Sequence, residues 1–140
     1  MAYATQQDLT DRFGAGELVQ LTDHADTGEI DAAMVAGALS DATELVNGYL
    51  ARRYTLPLSV VPDRLTGVVC DLARYALYTV DPTDVVKDRR KDAVAWLRDI
   101  GAGVVLLPAA GVEPAAGGGD AVAFETAGAG FDRDALKGWG

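Results

Sequence analysis

Three features of the 140-residue chain predict an all-α fold: a small bundle of about four to five helices with a loosely structured, Gly/Ala-rich C-terminal tail. Apolar residues recur every three or four positions through the long segments. Capping residues and prolines stand where those segments would begin. Strands and helices do not alternate along the chain, and there is no internal repeat. Hydrophobic residues make up 49% of the sequence, but 20 of the last 40 residues are Gly or Ala. That end offers little side-chain area to offset the entropy lost on ordering. The expected division is a helical body over 1–107 and a flexible tail over 108–140.

Thr5 precedes Gln6-Gln7-Asp8 and reads as a cap, with Asp8 in the first turn near the positive helix end. Leu9 and Phe13 lie four apart, and Gly14 stops this first helix. A second short piece over 17–21 presents Leu18 and Leu21 on one side. Asp31 caps the first long helix, where Ile30 and Val35 have the spacing of a hydrophobic staple. The stripe runs through Ala38, Ala42, Leu45 and Val46 to Leu50, and its alanines permit close helix approach. Gly37 and Gly48 weaken it by about 1 kcal/mol each, so packing must compensate.

Pro62 opens the next helix at its first position, with Leu65, Val68, Val69, Leu72 and Ala76 as the buried stripe. Asp81-Pro82 is expected to end it and to start the last helix, Asp81 acting as cap. That helix carries Val86, Ala93, Leu97 and Ile100 and is stopped by Gly101. The branched run Val104 to Leu107, bounded by Gly103 and Pro108, could form a single strand, which would need a partner.

The net charge of −9 and a pI near 4.4 argue against sequence-reading or backbone-gripping DNA binding, which needs clustered Lys and Arg. The charge is uneven. Residues 1–31 hold seven carboxylates and one arginine, whereas 52–98 hold nine basic and six acidic residues. Such a chain can pair head to tail with its own copies. Cys70 is the one cysteine, so no intrachain disulfide can form, and its apolar neighbours mark it as a small buried hydrophobe. The polar N-terminus is unlike a signal peptide, and no apolar stretch approaches the roughly 20 residues that cross a bilayer. A reducing, aqueous compartment and no membrane association are expected.

Nothing in the sequence assembles a catalytic motif, and no cofactor is implied. Asp23 to Met34 scans like a calcium loop, with Gly28 at the sharp turn and Ile30 at the apolar position. Ala25 and Thr27 stand where carboxylates are usual, and Met34 stands where a bidentate glutamate belongs, so no metal site is expected. His24 is the one histidine, and phosphate-binding and dinucleotide fingerprints are missing. The chain is not expected to be an enzyme.

Candidate partner-binding residues fall in three places. Arg52, Arg53 and Tyr54 close the first long helix, in the arginine–tyrosine composition of interfaces. The arginines equally suit the negative end of that helix. Arg89 and Arg90 lie nearer the start of their helix than its end, which removes that explanation and leaves a partner as the better one. They are expected to pair with carboxylates in the first 31 residues of a neighbour. Phe131, Arg133, Leu136 and Trp139 form a linear segment with apolar anchors, suited either to folding back on the body or to docking on a neighbour.

Several ordered segments carry a family resemblance. They are Tyr3-Ala4-Thr5 through Arg12-Phe13-Gly14; Leu18 through Asp23 with the Asp/Gly turn that follows; the run Gly48-Tyr49-Leu50-Ala51-Arg52-Arg53-Tyr54-Thr55-Leu56-Pro57-Leu58; Ala73 through Tyr78; Ala93 through Ile100; and Phe131 through Trp139. In these the chain resembles the phage Mu-type family of small head–tail connector (adaptor or head-completion) proteins of tailed phages, prophages and gene-transfer particles. Arg90 departs from the pattern, which has an aromatic after the first arginine. The resemblance implies a virion structural protein that forms a homo-oligomeric ring of about twelve copies between portal protein and tail or tail-completion protein. DNA would pass through without specific binding, past an acidic wall that does not hold it. It also implies a place at the head–tail junction, and in the host cytoplasm during assembly. The alternative is a small phage or bacterial helical adaptor or regulatory protein that binds a single host protein.

Overall fold

A computed structural model describes residues 3–107, and in these the chain forms five α-helices: α1 (Gln6–Phe13), α2 (Ala15–Thr22), α3 (Ala32–Leu50), α4 (Asp63–Leu77) and α5 (Asp84–Gly101). The expected all-α bundle is observed. The tail expected over 108–140 lies outside the described residues.

The starts of α1 and α3 follow from local chemistry. Asp8 donates its backbone N–H to Thr5 Oγ1 at 3.2 Å while Thr5 N–H donates to the Asp8 carboxylate at 2.9 Å, a reciprocal capping box. Asp31 Oδ1 accepts from the N–H groups of Ala33 (3.0 Å) and Met34 (3.2 Å). Gly14, at φ +90°, ends α1 and begins α2, a conformation that a residue with a Cβ resists.

The three long helices make the core. Buried Val35, Ala38, Ala42, Val46 and Leu50 form the inner stripe of α3, against which α4 packs most closely. On α4 seven residues are buried: Leu65, Val68, Val69, Cys70, Leu72, Ala73 and Leu77. This wide arc fits a helix that touches α1, α3 and α5 together. The N-terminal segment is pinned over the far end of α3. Tyr3 hydroxyl donates to the Asn47 side-chain oxygen, and Thr66 hydroxyl donates to the Tyr3 carbonyl at 2.8 Å. No helix among the described residues is long and apolar enough to cross a membrane.

Six details differ from what the sequence predicts. Pro62 is the residue before α4, not its first turn, and Ala76 is exposed. Leu45 is 38% exposed because it sits at the edge of the α3 stripe. The cap of α5 is Thr83, whose hydroxyl accepts from Val86 N–H at 3.4 Å, and not Asp81. The left-handed residue after α5 is Gly103 at φ +80°, two residues beyond Gly101. Val104 to Leu107 is no strand; it turns back across the end of α3, leaving Val104 and Leu106 exposed and burying Leu107.

Candidate interaction surfaces

The first basic–aromatic segment is mostly internal. Arg53 donates from Nε to the Gly101 carbonyl (3.3 Å) and from a terminal nitrogen to the Ala102 carbonyl (3.0 Å). Those carbonyls, at the end of α5, have no N–H donor further along the helix, so the guanidinium caps α5 from across the bundle. Gly103 makes the approach feasible, since a Cβ there would stand 2.9 Å from the guanidinium. Tyr54 is only 4% exposed, and its hydroxyl accepts from Leu107 N–H at 3.0 Å. Arg53 and Tyr54 therefore make contacts within their own fold, and Arg53 serves a helix end, that of α5 and not of α3. Arg52 is exposed.

Arg89 and Arg90 face different ways, because neighbours on a helix lie about 100° apart. Arg89 lies 3.8 Å from the Asp71 carboxylate, and its side chain is 56% exposed. It borders a cleft of about 470 Å³ between α1, α4 and α5, which Arg12, Arg64 and Asp71 also line. Burial pushes the Asp71 carboxyl above its ordinary value, and Arg89 and Arg12 oppose that shift. Asp63 and Asp92 line the same cleft, so its charge is mixed. Arg64 also stacks on Trp96, 5.0 Å from the ring centre.

Arg90 faces a second cleft, of about 210 Å³, between α4 and α5. Its guanidinium lies 4.8 Å from the centre of the Tyr75 ring. Lys87, Lys91 and Arg98 line the rest with Val94, and no carboxylate is among the lining residues. The sequence marks the basic run from Lys87 to Lys91, from which only Arg89 and Arg90 were expected to bind; the spacing 87, 90/91, 94, 98 is the helical signal that separates this face.

A further charged contact joins distant helices. Glu17 of α2 accepts two hydrogen bonds from Arg74 of α4, at 2.7 and 2.9 Å, and Arg74 lies over the Phe13 ring at 4.2 Å. At the loop between α2 and α3, the Asp23 carboxylate accepts from Thr27 N–H (2.8 Å), Gly28 N–H (2.6 Å) and the Thr27 hydroxyl (3.0 Å). These bonds hold its carboxyl below the usual carboxylate value. In the calcium-like stretch the first carboxylate is thus used to shape the loop, and no cluster of three metal-ligating side chains occurs among the described residues. The candidates Phe131, Arg133, Leu136 and Trp139 lie outside the described residues.

Residues 3–125 match the family model described as Bacteriophage Mu, Gp36, a span that takes in all five helices and most of the chain. The chain belongs to the Mu Gp36 family. Gene product J of Escherichia phage Mu is 38% identical over 101 residues, covering 71% of this chain and 72% of that protein. The Mu-like prophage FluMu protein gp36 of Haemophilus influenzae is 29% identical over 137 residues, covering 98% of this chain and 97% of its own. Both relatives are proteins of Mu-type phage or prophage. The two clefts of this Gp36-family bundle are therefore surfaces of a phage-type protein.

Proposed function

We propose that this Gp36-family protein is a structural head–tail connector of a Mu-type phage or prophage. In this reading its copies form a ring of about twelve between portal and tail. DNA passes through that ring, and the protein performs no catalysis. The observation that carries the proposal is the sorting of charge: a chain of net −9 gathers four cations and no carboxylate into one cleft between α4 and α5, in a family whose relatives are proteins of Mu and of a Mu-like prophage. Discrete charged sockets on a rigid helical body suit repeated protein–protein docking. An acidic remainder suits a passage that must not retain a polyanion.

The test is deletion of the gene from an inducible Mu-like prophage that carries it, followed by electron microscopy of the lysate. Filled heads and finished tails that remain separate, joined again on complementation, are the expected result. Intact infectious particles in normal yield, or a block before heads form, would overturn the proposal.

A further inference from the structure

We infer that the cleft of Tyr75, Lys87, Arg90, Lys91 and Arg98 is a socket for the α2–α3 loop of a second copy of this chain, with Asp26 and Glu29 as the entering carboxylates. The inference rests on the proposed connector role in requiring that copies assemble, and it names the surfaces that meet.

The socket has cations in excess of the carboxylates that the described residues place beside it. Lys87 reaches Asp81 at 3.6 Å, but Asp81 is 94% exposed, so that pair contributes little. Lys91 and Arg98 are exposed and make no ion pair among the described residues. Arg90 is stacked on Tyr75. A guanidinium over a ring face keeps its in-plane N–H groups for other partners, an arrangement suited to a carboxylate. At about 210 Å³ the cleft has room for one or two side-chain carboxylates.

The complementary part is the loop over 23–31. Asp23 ties down Thr27 and Gly28, while Thr22 hydroxyl accepts from Asp31 N–H at 2.9 Å and donates to the Leu18 carbonyl at 2.8 Å. The loop is thus ordered from within, and little further entropy is lost when it docks. Asp26, held at φ +59°, and Glu29 are both exposed and make no ion pair among the described residues.

A second copy fits this socket better than duplex DNA does. Along α5 five cations alternate with four carboxylates: Asp84, Asp88, Asp92 and Asp99. A continuous phosphate track would meet those carboxylates, whereas a pair of isolated carboxylates meets only the socket. Since socket and loop are different surfaces, the contact is head to tail, the kind that closes rings.

The experiment uses the full chain at about 50 mM salt, where exposed charges are weakly screened. Sedimentation velocity is run on the wild type, on Arg90→Glu/Lys91→Glu/Arg98→Glu, on Asp26→Lys/Glu29→Lys, and on an equimolar mixture of the two variants, with circular dichroism to verify folding. The wild type should associate in a salt-sensitive way, and each variant should associate at least about tenfold more weakly. In the mixture every socket again meets a loop of opposite sign, so association should return to within about threefold of the wild type. A mixture that stays dissociated overturns the assignment, as does a wild type that remains monomeric up to about 1 mM. So does a short DNA duplex that is bound through Arg90 and Arg98 while self-association is unchanged. Particle assembly is a separate readout. If both variants complete particles as the wild type does, the socket assignment fails and the connector role stands. If gene deletion leaves particles complete, the connector role fails whatever the solution result.

Discussion

Arg74 and Glu17 meet through two parallel hydrogen bonds at 2.7 and 2.9 Å, and the guanidinium that makes them lies over Phe13. One arginine of α4 thereby holds both short helices, α1 through the ring and α2 through the carboxylate. Its side chain is 15% exposed and that of Glu17 25% exposed. In such partial shelter a bidentate pair is stronger than a surface ion pair, and breaking it leaves one charge short of partners. Glu17→Gln should destabilise the body by about 1–3 kcal/mol, and Arg74→Ala by at least as much because the ring contact goes too. Hydrogen exchange should show the loss first in α1 and α2. Denaturant melts with unchanged midpoints for both variants would refute the lock.

Tyr54→Phe removes the acceptor of Leu107 N–H and leaves the ring in place. Since Tyr54 and Leu107 are both buried, the amide is left without a partner, at a cost of about 1–3 kcal/mol. A surface tyrosine would tolerate the change within about 0.5 kcal/mol, and urea melts decide between the two.

Cys70 is fully buried, and burial raises its thiol from 9.0 to about 11. The thiolate fraction at pH 8 falls about a hundredfold for that shift. Labelling with an aromatic disulfide should therefore be at least about a hundredfold slower in the folded chain than in denaturant. A folded rate within tenfold of the denatured rate, on the order expected for an open thiol, would place Cys70 at the surface.

Asp23 has a depressed carboxyl value because Thr27 and Gly28 donate to its charged form. The sign follows from linkage: the charged form is favoured in the folded state. Its contribution is complete above the ordinary value of 3.8 and is lost as pH falls through the lower folded value. Asp23→Asn should flatten the acid side of the stability curve in that window and leave the slope above pH 6 unaltered. An identical acid limb in the two proteins would show that the loop does not depend on the carboxylate.

What could be read beforehand divides by range. Thr5 and Asp31 act on amides two or three residues away, so their capping roles were legible from local sequence. The α5 start was harder, because Asp81 and Thr83 are both competent caps and the choice depends on where the turn after Leu77 delivers the chain. Arg53 and Gly101 lie 48 residues apart, and Glu17 and Arg74 lie 57 apart. No local pattern marks such pairs, so Arg53 and Tyr54 resembled interface residues until the return of α5 was known. The separation of Arg89 from Arg90 was legible in principle, since adjacent helical residues cannot share a face.

The anchoring of Tyr3 on Asn47 and Thr66, and of Leu107 on Tyr54, has a topological consequence. All these positions lie around the last turn of α3, so the polypeptide enters and leaves the bundle at one pole. Among the described residues, the opposite pole holds the 23–31 loop and the 78–83 turn. Fluorescent labels at residues 3 and 107 would thus sit close together and report on one pole alone. A circular permutant that joins these positions and opens at the far turn should retain the bundle.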